Sequence, residues 1–234
     1  MCGRLDQNGI KRLIQNFAWA GEAFNRGQAE SKTNVSPGSY RPVMHIEDEA
    51  LYIDDLHWGY RSSWANASGQ TSMCINTRLE KITNRYGKPL LKRGLAIVPA
   101  AGWYEWTGEK GKMQPWHIHR RDGQPLYLAA LANFAPDTEV KTSNGFTIVT
   151  ADAQGGMVDV HDRCPVVLSA QDAALWLDPL FDAQQAEHLA RSVALGLDSF
   201  EWYMVERAVG NVKNQGSQLA QPIDSVVVQQ PDQD

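Results

Sequence analysis

The middle of the chain constrains the fold most. Between residues 95 and 150 a series of short apolar and aromatic runs follow one another: Leu95–Pro99, Gly102–Trp106, Trp116–Arg120, Leu126–Asn133 and Phe146–Thr150. Runs of this length, rich in β-branched and aromatic residues and separated by Gly- or Pro-containing turns at 108–111 and 122–125, read as strands. No regular β-α alternation interleaves them, which favours antiparallel pairing over βαβ crossovers. Around this core, Pro42–Glu47 and Ala50–Trp58 form an expected hairpin, and Phe200–Val205 a last strand. Ile10, Leu13, Ile14 and Phe17 recur at i, i+3, i+4 and i+7, predicting an amphipathic helix over residues 8–17. A short helix is expected around 79–92. Ser169 with Asp172 three residues on starts another, through Leu177, and Ala183–Ala194 continues helical after Asp178-Pro179. Residues 20–33 are polar and lead to the Pro37-Gly38 turn, while 59–73 read as a surface loop carrying Trp64. The expectation is an α+β fold in a single domain over residues 1–222, its core a largely antiparallel sheet or open barrel with flanking helices. Residues 223–234 read as a disordered tail.

With 234 residues, 43% of them hydrophobic, the chain can fill one substantial core. No stretch approaches the ~20 apolar residues needed to span a bilayer, so no membrane partner is expected. The expected location is the cytoplasm, at the nucleoid in a bacterium. Three cysteines, Cys2, Cys74 and Cys164, show no CxxC spacing, which argues against a disulfide framework or a structural zinc site. Cys74 and Cys164 read as small buried hydrophobes. The net charge of −5 argues against a protein that coats nucleic acid nonspecifically but leaves room for a local basic groove.

The chain begins Met1-Cys2-Gly3-Arg4. Removal of Met1 would leave an aminothiol, whose amine condenses with an aldehyde and whose thiol then closes a five-membered thiazolidine; the same group could instead attack an amide. Reference pKa values near ~8 for the amine and ~8.5 for the thiol leave a useful reactive fraction of each at neutral pH. Three other residues could serve such a terminus. Glu105, in Gly102-Trp103-Tyr104-Glu105-Trp106, is a carboxylate among aromatic rings, where desolvation raises a pKa toward neutrality; a glutamate at a strand edge with its side chain in water is the other reading. His161, in a strand-like run between Asp159 or Asp162 and Arg163, could act as acid or base, or serve as a structural hydrogen-bonding residue. Asn76 and Arg78 alternate, so an extended segment puts both on one side, an amide to orient a reacting group and a guanidinium to hold a phosphate. His117 and His119 share a strand face and could join His161 and Glu105 at a zinc ion. No spacing beyond H-x-H supports that, and neither metal nor cofactor is expected.

These segments occur together with Asn34-Val35-Ser36-Pro37-Gly38, Trp58-Gly59-Tyr60, Ile75-Asn76-Thr77-Arg78 with Glu80, Val160-His161-Asp162-Arg163-Cys164-Pro165 and Ala208-Val209-Gly210-Asn211-Val212-Lys213-Asn214. In this order, from residue 1 to about 222, the chain resembles the SRAP family, SOS-response-associated peptidase domains that sense abasic sites in single-stranded DNA. The resemblance implies autocatalytic loss of Met1, attack of the Cys2 amine on the ring-opened sugar aldehyde, and closure of a thiazolidine by the Cys2 thiol. It implies that Asn76 orients the amine, Glu105 shuttles protons through processing, capture and slow reversal, and His161 assists ring opening. It implies DNA contacts from Arg4, Arg78, Thr150 and Arg163, with stacking by Trp64, on single strands or junctions; nothing in the sequence demands more than a monomer. Family members often carry paired tryptophans in the DNA-binding loop, where this chain has Trp64-Ala65.

Two other classes fit parts of the sequence. An N-terminal-nucleophile amidohydrolase or amidotransferase also begins Met-Cys-Gly, although no downstream glutamine-recognition motif accompanies it here. A non-catalytic single-strand-binding module would use the arginines and tryptophans and leave Cys2 incidental.

Overall fold

The strand Leu126–Asn133 carries apolar side chains on both faces, and both are covered. Leu126, Leu128, Ala130 and Ala132 enter one core, while Tyr127, Ala129 and Leu131 enter another. A continuous apolar run is what a strand buried on both sides requires. It is the centre of a larger sheet in a computed structural model that describes residues 2–17, 19–61, 73–84, 87–91, 94–134, 145–180 and 183–223.

In chain order the strands are β1 (Leu5–Gln7), β2 (Ala23–Asn25), β3 (Lys32–Val35), β4 (Tyr40–Glu47), β5 (Ala50–His57), β6 (Asn76–Arg78), β7 (Leu95–Ala100), β8 (Gly102–Thr107), β9 (Gln114–Arg120), β10 (Leu126–Asn133), β11 (Gly145–Asp152), β12 (Arg163–Pro165), β13 (Val167–Leu168) and β14 (Phe200–Met204). Among the described residues they make two open sheets. One has five strands in the order β14-β9-β8-β1-β3; the other has nine, along β12-β11-β10-β7-β4-β5-β2, with β13 on β10 and β6 on β11. Pairing is antiparallel except for β2 on β5 and β6 on β11. The expected α+β class, with a sheet-dominated core, is what the structure has.

The two sheets face each other across a core built from Leu5, Trp103, Trp116, Ile118 and Trp202 on one side and Val43, Val98, Leu128, Phe146 and Ile148 on the other. The far face of the nine-stranded sheet is covered by helices α1 (Ile10–Gln15), α2 (Lys88–Leu91), α3 (Ala170–Trp176) and α4 (Ala183–Val193). Ser169 caps α3 by accepting the Asp172 N–H at 3.1 Å, satisfying one of the orphan donors of a helix start. Trp176 then anchors that helix, donating its indole N–H to Ala96 O at 3.0 Å. The far face of the five-stranded sheet is covered by the segment after β14, through Val205, Val209 and Leu219 on Tyr104.

Some elements differ from expectation. The polar stretch 20–33 contains β2 and the start of β3. β2 is exposed along its length and exists because it pairs with β5, Ala23 opposite Leu51, so no alternation marks it. The expected helix over 79–92 is divided into a 3-10 turn at Leu79–Lys81 and α2. A side chain at Gly87 would meet the Ile82 carbonyl oxygen at 2.0 Å, so the chain folds back on itself there. Cys74 and Cys164 are only half-buried. Trp64 and residues 224–234 lie outside the described residues.

Candidate active site

β1 joins the five-stranded sheet directly after the terminal tetrapeptide and lies inside it, Leu5 pairing with Val35 on one side and Trp103 on the other. The Tyr104 N–H donates to Arg4 O at 3.0 Å. Residues 2–4 therefore run beside Tyr104 and Glu105. Cys2 is fully buried in the core between the sheets, and its carbonyl accepts a hydrogen bond from Asn76 Nδ2 at 2.8 Å. Burial raises the Cys2 thiol well above its ordinary value, and the charge of Glu105 adds to this. The thiol is thus protonated at neutral pH, unlike the partly ionised group that reference values suggest.

Asn76 comes from β6, which runs parallel to β11 with Asn76 opposite Ile148 and Arg78 opposite Thr150. Its Nδ2 is used on Cys2, while its Oδ1 is buried without a hydrogen bond. Arg78, two residues on, is exposed.

Glu105 lies on the inner face of β8, whose neighbours on that face are Trp103 and, across the strand pair, Trp116. Only 3% of it is exposed. Burial pushes its carboxyl up to about 7, against the opposing positive charge of the chain terminus, and Asp162 adds to the rise. Of the aromatics that flank it in sequence only Trp103 shares this face, and burial between the sheets, rather than all three rings, lets the group hold or release a proton near neutral pH.

His161 does not sit in a strand. It follows a 3-10 turn at Gly155–Asp159, its N–H bonded back to Met157 O, and β12 begins two residues later. Its Nδ1 lies 2.7 Å from Asp162 Oδ1 and 3.0 Å from the Arg163 N–H. A neutral ring can donate to the first or accept from the second, not both. Burial lowers its pKa, with the positive terminus acting the same way, so neutral imidazole is the form present at pH 7.

Two arginines are committed within the fold. Arg163, 5% exposed, binds Glu80 with both terminal nitrogens at 2.8 and 3.1 Å, reaches Asp152, and donates to Thr150 O at 2.7 Å. Thr150 is 1% exposed. Both residues are buried rather than at an open surface, Thr150 of β11 beside Arg78 and Arg163 opposite Asp152 of the same strand. Arg4 points to the outer face of its sheet, over Trp106, and donates to Asn34 Oδ1 and Val209 O. Arg78 is the solvent-facing cation of this group.

His117 and His119 also lie on the outer face, beside Tyr104 and Tyr203 and away from Glu105. Strand alternation separates them from the site. Among the described residues no cluster of three or more His, Cys, Asp or Glu side chains is placed to hold a metal.

A sequence profile of the SOS response associated peptidase (SRAP) family matches residues 1–212. The chain belongs to the SRAP family. Among its relatives, the abasic site processing protein YedK of Escherichia coli K12 is 38% identical over 229 residues, covering 95% of this chain and all of that protein. The abasic site processing protein HMCES of Xenopus tropicalis is 26% identical, covering 77% of this chain and 63% of its own length. Among solved structures, a phage-related protein of Bordetella bronchiseptica superposes with a TM-score of 0.74 at 35% identity, covering 88% of this chain and 95% of that one. A Bacteroides thetaiotaomicron protein at 18% identity and TM-score 0.70 shares the fold, over 94% of this chain and 98% of its own. Within this SRAP fold, Asp162 enters the site unannounced by any chemical role in the sequence, as a charge acting on Glu105, and Cys164 packs against the core that holds Cys2. For Asp162, adjacency to His161 was the available signal.

Proposed function

We propose that this SRAP protein processes abasic sites in DNA by covalent capture at Cys2, acting as a monomer on single strands. The observation that carries the reading is the pair of groups at residue 2. Asn76 grips the Cys2 carbonyl and keeps a buried oxygen unused, and a buried carboxyl with a pKa of about 7 lies against the same terminus.

In this reading water cleaves the Met1–Cys2 peptide bond, with Glu105 relaying protons, and the freed Cys2 amine donates to Asn76 Oδ1. A neutral His161 assists opening of the cyclic abasic sugar, taking the hydroxyl proton as the ring oxygen gains one. The amine adds to the exposed aldehyde carbon. Protonated Glu105 then supplies the proton with which hydroxide leaves as water, giving an iminium whose N–H proton returns to the Glu105 carboxylate to leave the imine. The Cys2 sulfur adds to the imine carbon and its proton passes to the nitrogen, closing the thiazolidine. A thiol that stays protonated until the imine forms favours amine attack first. The same proton transfers run backwards give slow reversal through Glu105.

Arg78 is the proposed phosphate contact, with Thr150 and Arg163 supporting its strand, and Trp64 is the proposed stacking residue. The test is a denaturing gel of protein lacking Met1 with an abasic single-stranded oligonucleotide. A stable adduct lost in Cys2→Ala is expected; its absence from the wild-type protein would end the proposal.

A further inference from the structure

The proposed capture chemistry uses Asn76 to hold one side of the terminus and gives no role to two of the chain's motifs, Asn34–Gly38 and Ala208–Asn214. The structure joins them at one residue. Asn34 is 2% exposed. Its Oδ1 accepts from Arg4 Nη1 at 2.6 Å, and its Nδ2 faces three carbonyl oxygens, Val209 at 3.0 Å, Asn211 at 3.0 Å and Asn214 at 3.1 Å. Arg4 Nη1 also reaches Val209 O, at 2.9 Å. The contacts close a ring of Arg4, Asn34 and Val209. The Asn34 backbone is fixed in turn by Gln215, whose side chain accepts from its N–H at 3.3 Å and donates to its carbonyl at 3.0 Å.

We propose that Asn34 is a positioning residue for the reactive terminus, acting through Nη1 of Arg4. The inference rests on the proposed chemistry at Cys2. The backbone of residue 2 is gripped by Asn76 from the inner side of the sheet, and the side chain of residue 4 by Asn34 from the outer side. Between them lies Gly3, which has no side chain to restrict its torsions. The Tyr104 N–H already holds the Arg4 carbonyl along the strand edge; the Asn34 grip adds the Arg4 side chain, so that the segment on either side of Gly3 is held from both faces of the sheet and the Cys2 amine keeps one direction toward Glu105. Misplacing a reacting atom by about 1 Å can cost ~100-fold in rate.

The test uses protein freed of Met1, verified by intact mass, and three readings. One is the rate of adduct formation at saturating abasic oligonucleotide. A second is binding to an oligonucleotide whose abasic sugar is replaced by tetrahydrofuran, which carries no aldehyde. The third is thiazolidine formation with free glyoxylate, which needs no DNA. Asn34→Ala is expected to slow both covalent reactions about 10- to 100-fold with tetrahydrofuran-oligonucleotide affinity unchanged, Arg4→Ala to slow the DNA-independent glyoxylate reaction by the same factor, and the double variant to be no slower with glyoxylate than either alone. Arg4→Lys, which restores a donor to Asn34 Oδ1, should recover part of the rate. This rescue keeps the test decisive where Asn34→Ala does not fold. An unchanged glyoxylate rate in Asn34→Ala or in Arg4→Ala would overturn the proposal, as would multiplying losses in the double variant. Should wild-type protein capture glyoxylate but not DNA, the abasic-site reading falls while the positioning claim is still judged by the glyoxylate rates.

Discussion

Arg163 meets Glu80 through both of its terminal nitrogens, tying the 3-10 turn after β6 to the start of β12. Arg163→Met keeps the bulk and deletes the fork, leaving Thr150 O without its donor. Because Glu80 and Asp152 retain water, the expected loss is about 2 kcal/mol, below the 3–5 typical of fully buried pairs. Arg163 lowers the Glu80 pKa, so this contribution is present above the ordinary carboxylate range and lost as pH falls through the lowered value. Urea titrations of both proteins should therefore differ at pH 7 and converge toward acid; a constant gap across pH would assign the loss to packing alone.

Glu105 gives the opposite pH dependence. Its folded pKa of about 7 exceeds the unfolded value, so between about 4.3 and 7 the native state binds the extra proton and stability falls as pH rises. Glu105→Gln removes that penalty. Relative to wild type the variant should gain up to about 3 kcal/mol above pH 7 and nothing below pH 4, read from thermal or urea unfolding. Its adduct formation and reversal should slow together and lose the inflection near neutral pH; unchanged rates would take Glu105 out of proton transfer.

Asn76→Ala strips the Cys2 carbonyl of its donor. Adduct formation at saturating DNA should drop about 10- to 100-fold, with tetrahydrofuran-oligonucleotide binding intact. A loss confined to binding would instead make Asn76 a DNA contact.

Arg78 faces solvent beside this machinery. Arg78→Ala should weaken binding to all single-stranded sequences alike and reduce the salt slope of the binding constant by about 1. An unaltered slope would mean that no phosphate reaches it.

The architecture was legible wherever apolar patterning carried it. The strands from Leu95 to Thr150, the β4–β5 hairpin and the Ser169-capped helix follow from local chemistry. β2 was not legible, because its residues are exposed and its pairing is supplied by β5 from a distance. At the site, the raised pKa of Glu105 could be argued only in part from its aromatic neighbours: Trp103 shares its inner face, but Tyr104 and Trp106 turn outward, and the burial comes from Trp116 on the next strand and the facing sheet. The inward commitment of Arg4 and Arg163 could not. Their partners are Asn34, Val209, Glu80 and Asp152, and only the folded chain decides whether a guanidinium meets a carboxylate or the solvent.

The placement of β1 inside its sheet couples chemistry to assembly. Strand β3, strand β8, Asn76 and the Val209–Gln215 turn must all be in place before the second residue is held from both sides. The last of these is more than two hundred residues downstream, so a ribosome has made nearly the whole chain before the terminus can be seated. On the proposed chemistry, a copy not yet folded through residue 215 lacks the arrangement that would arm it, and reactivity would mark only molecules folded that far.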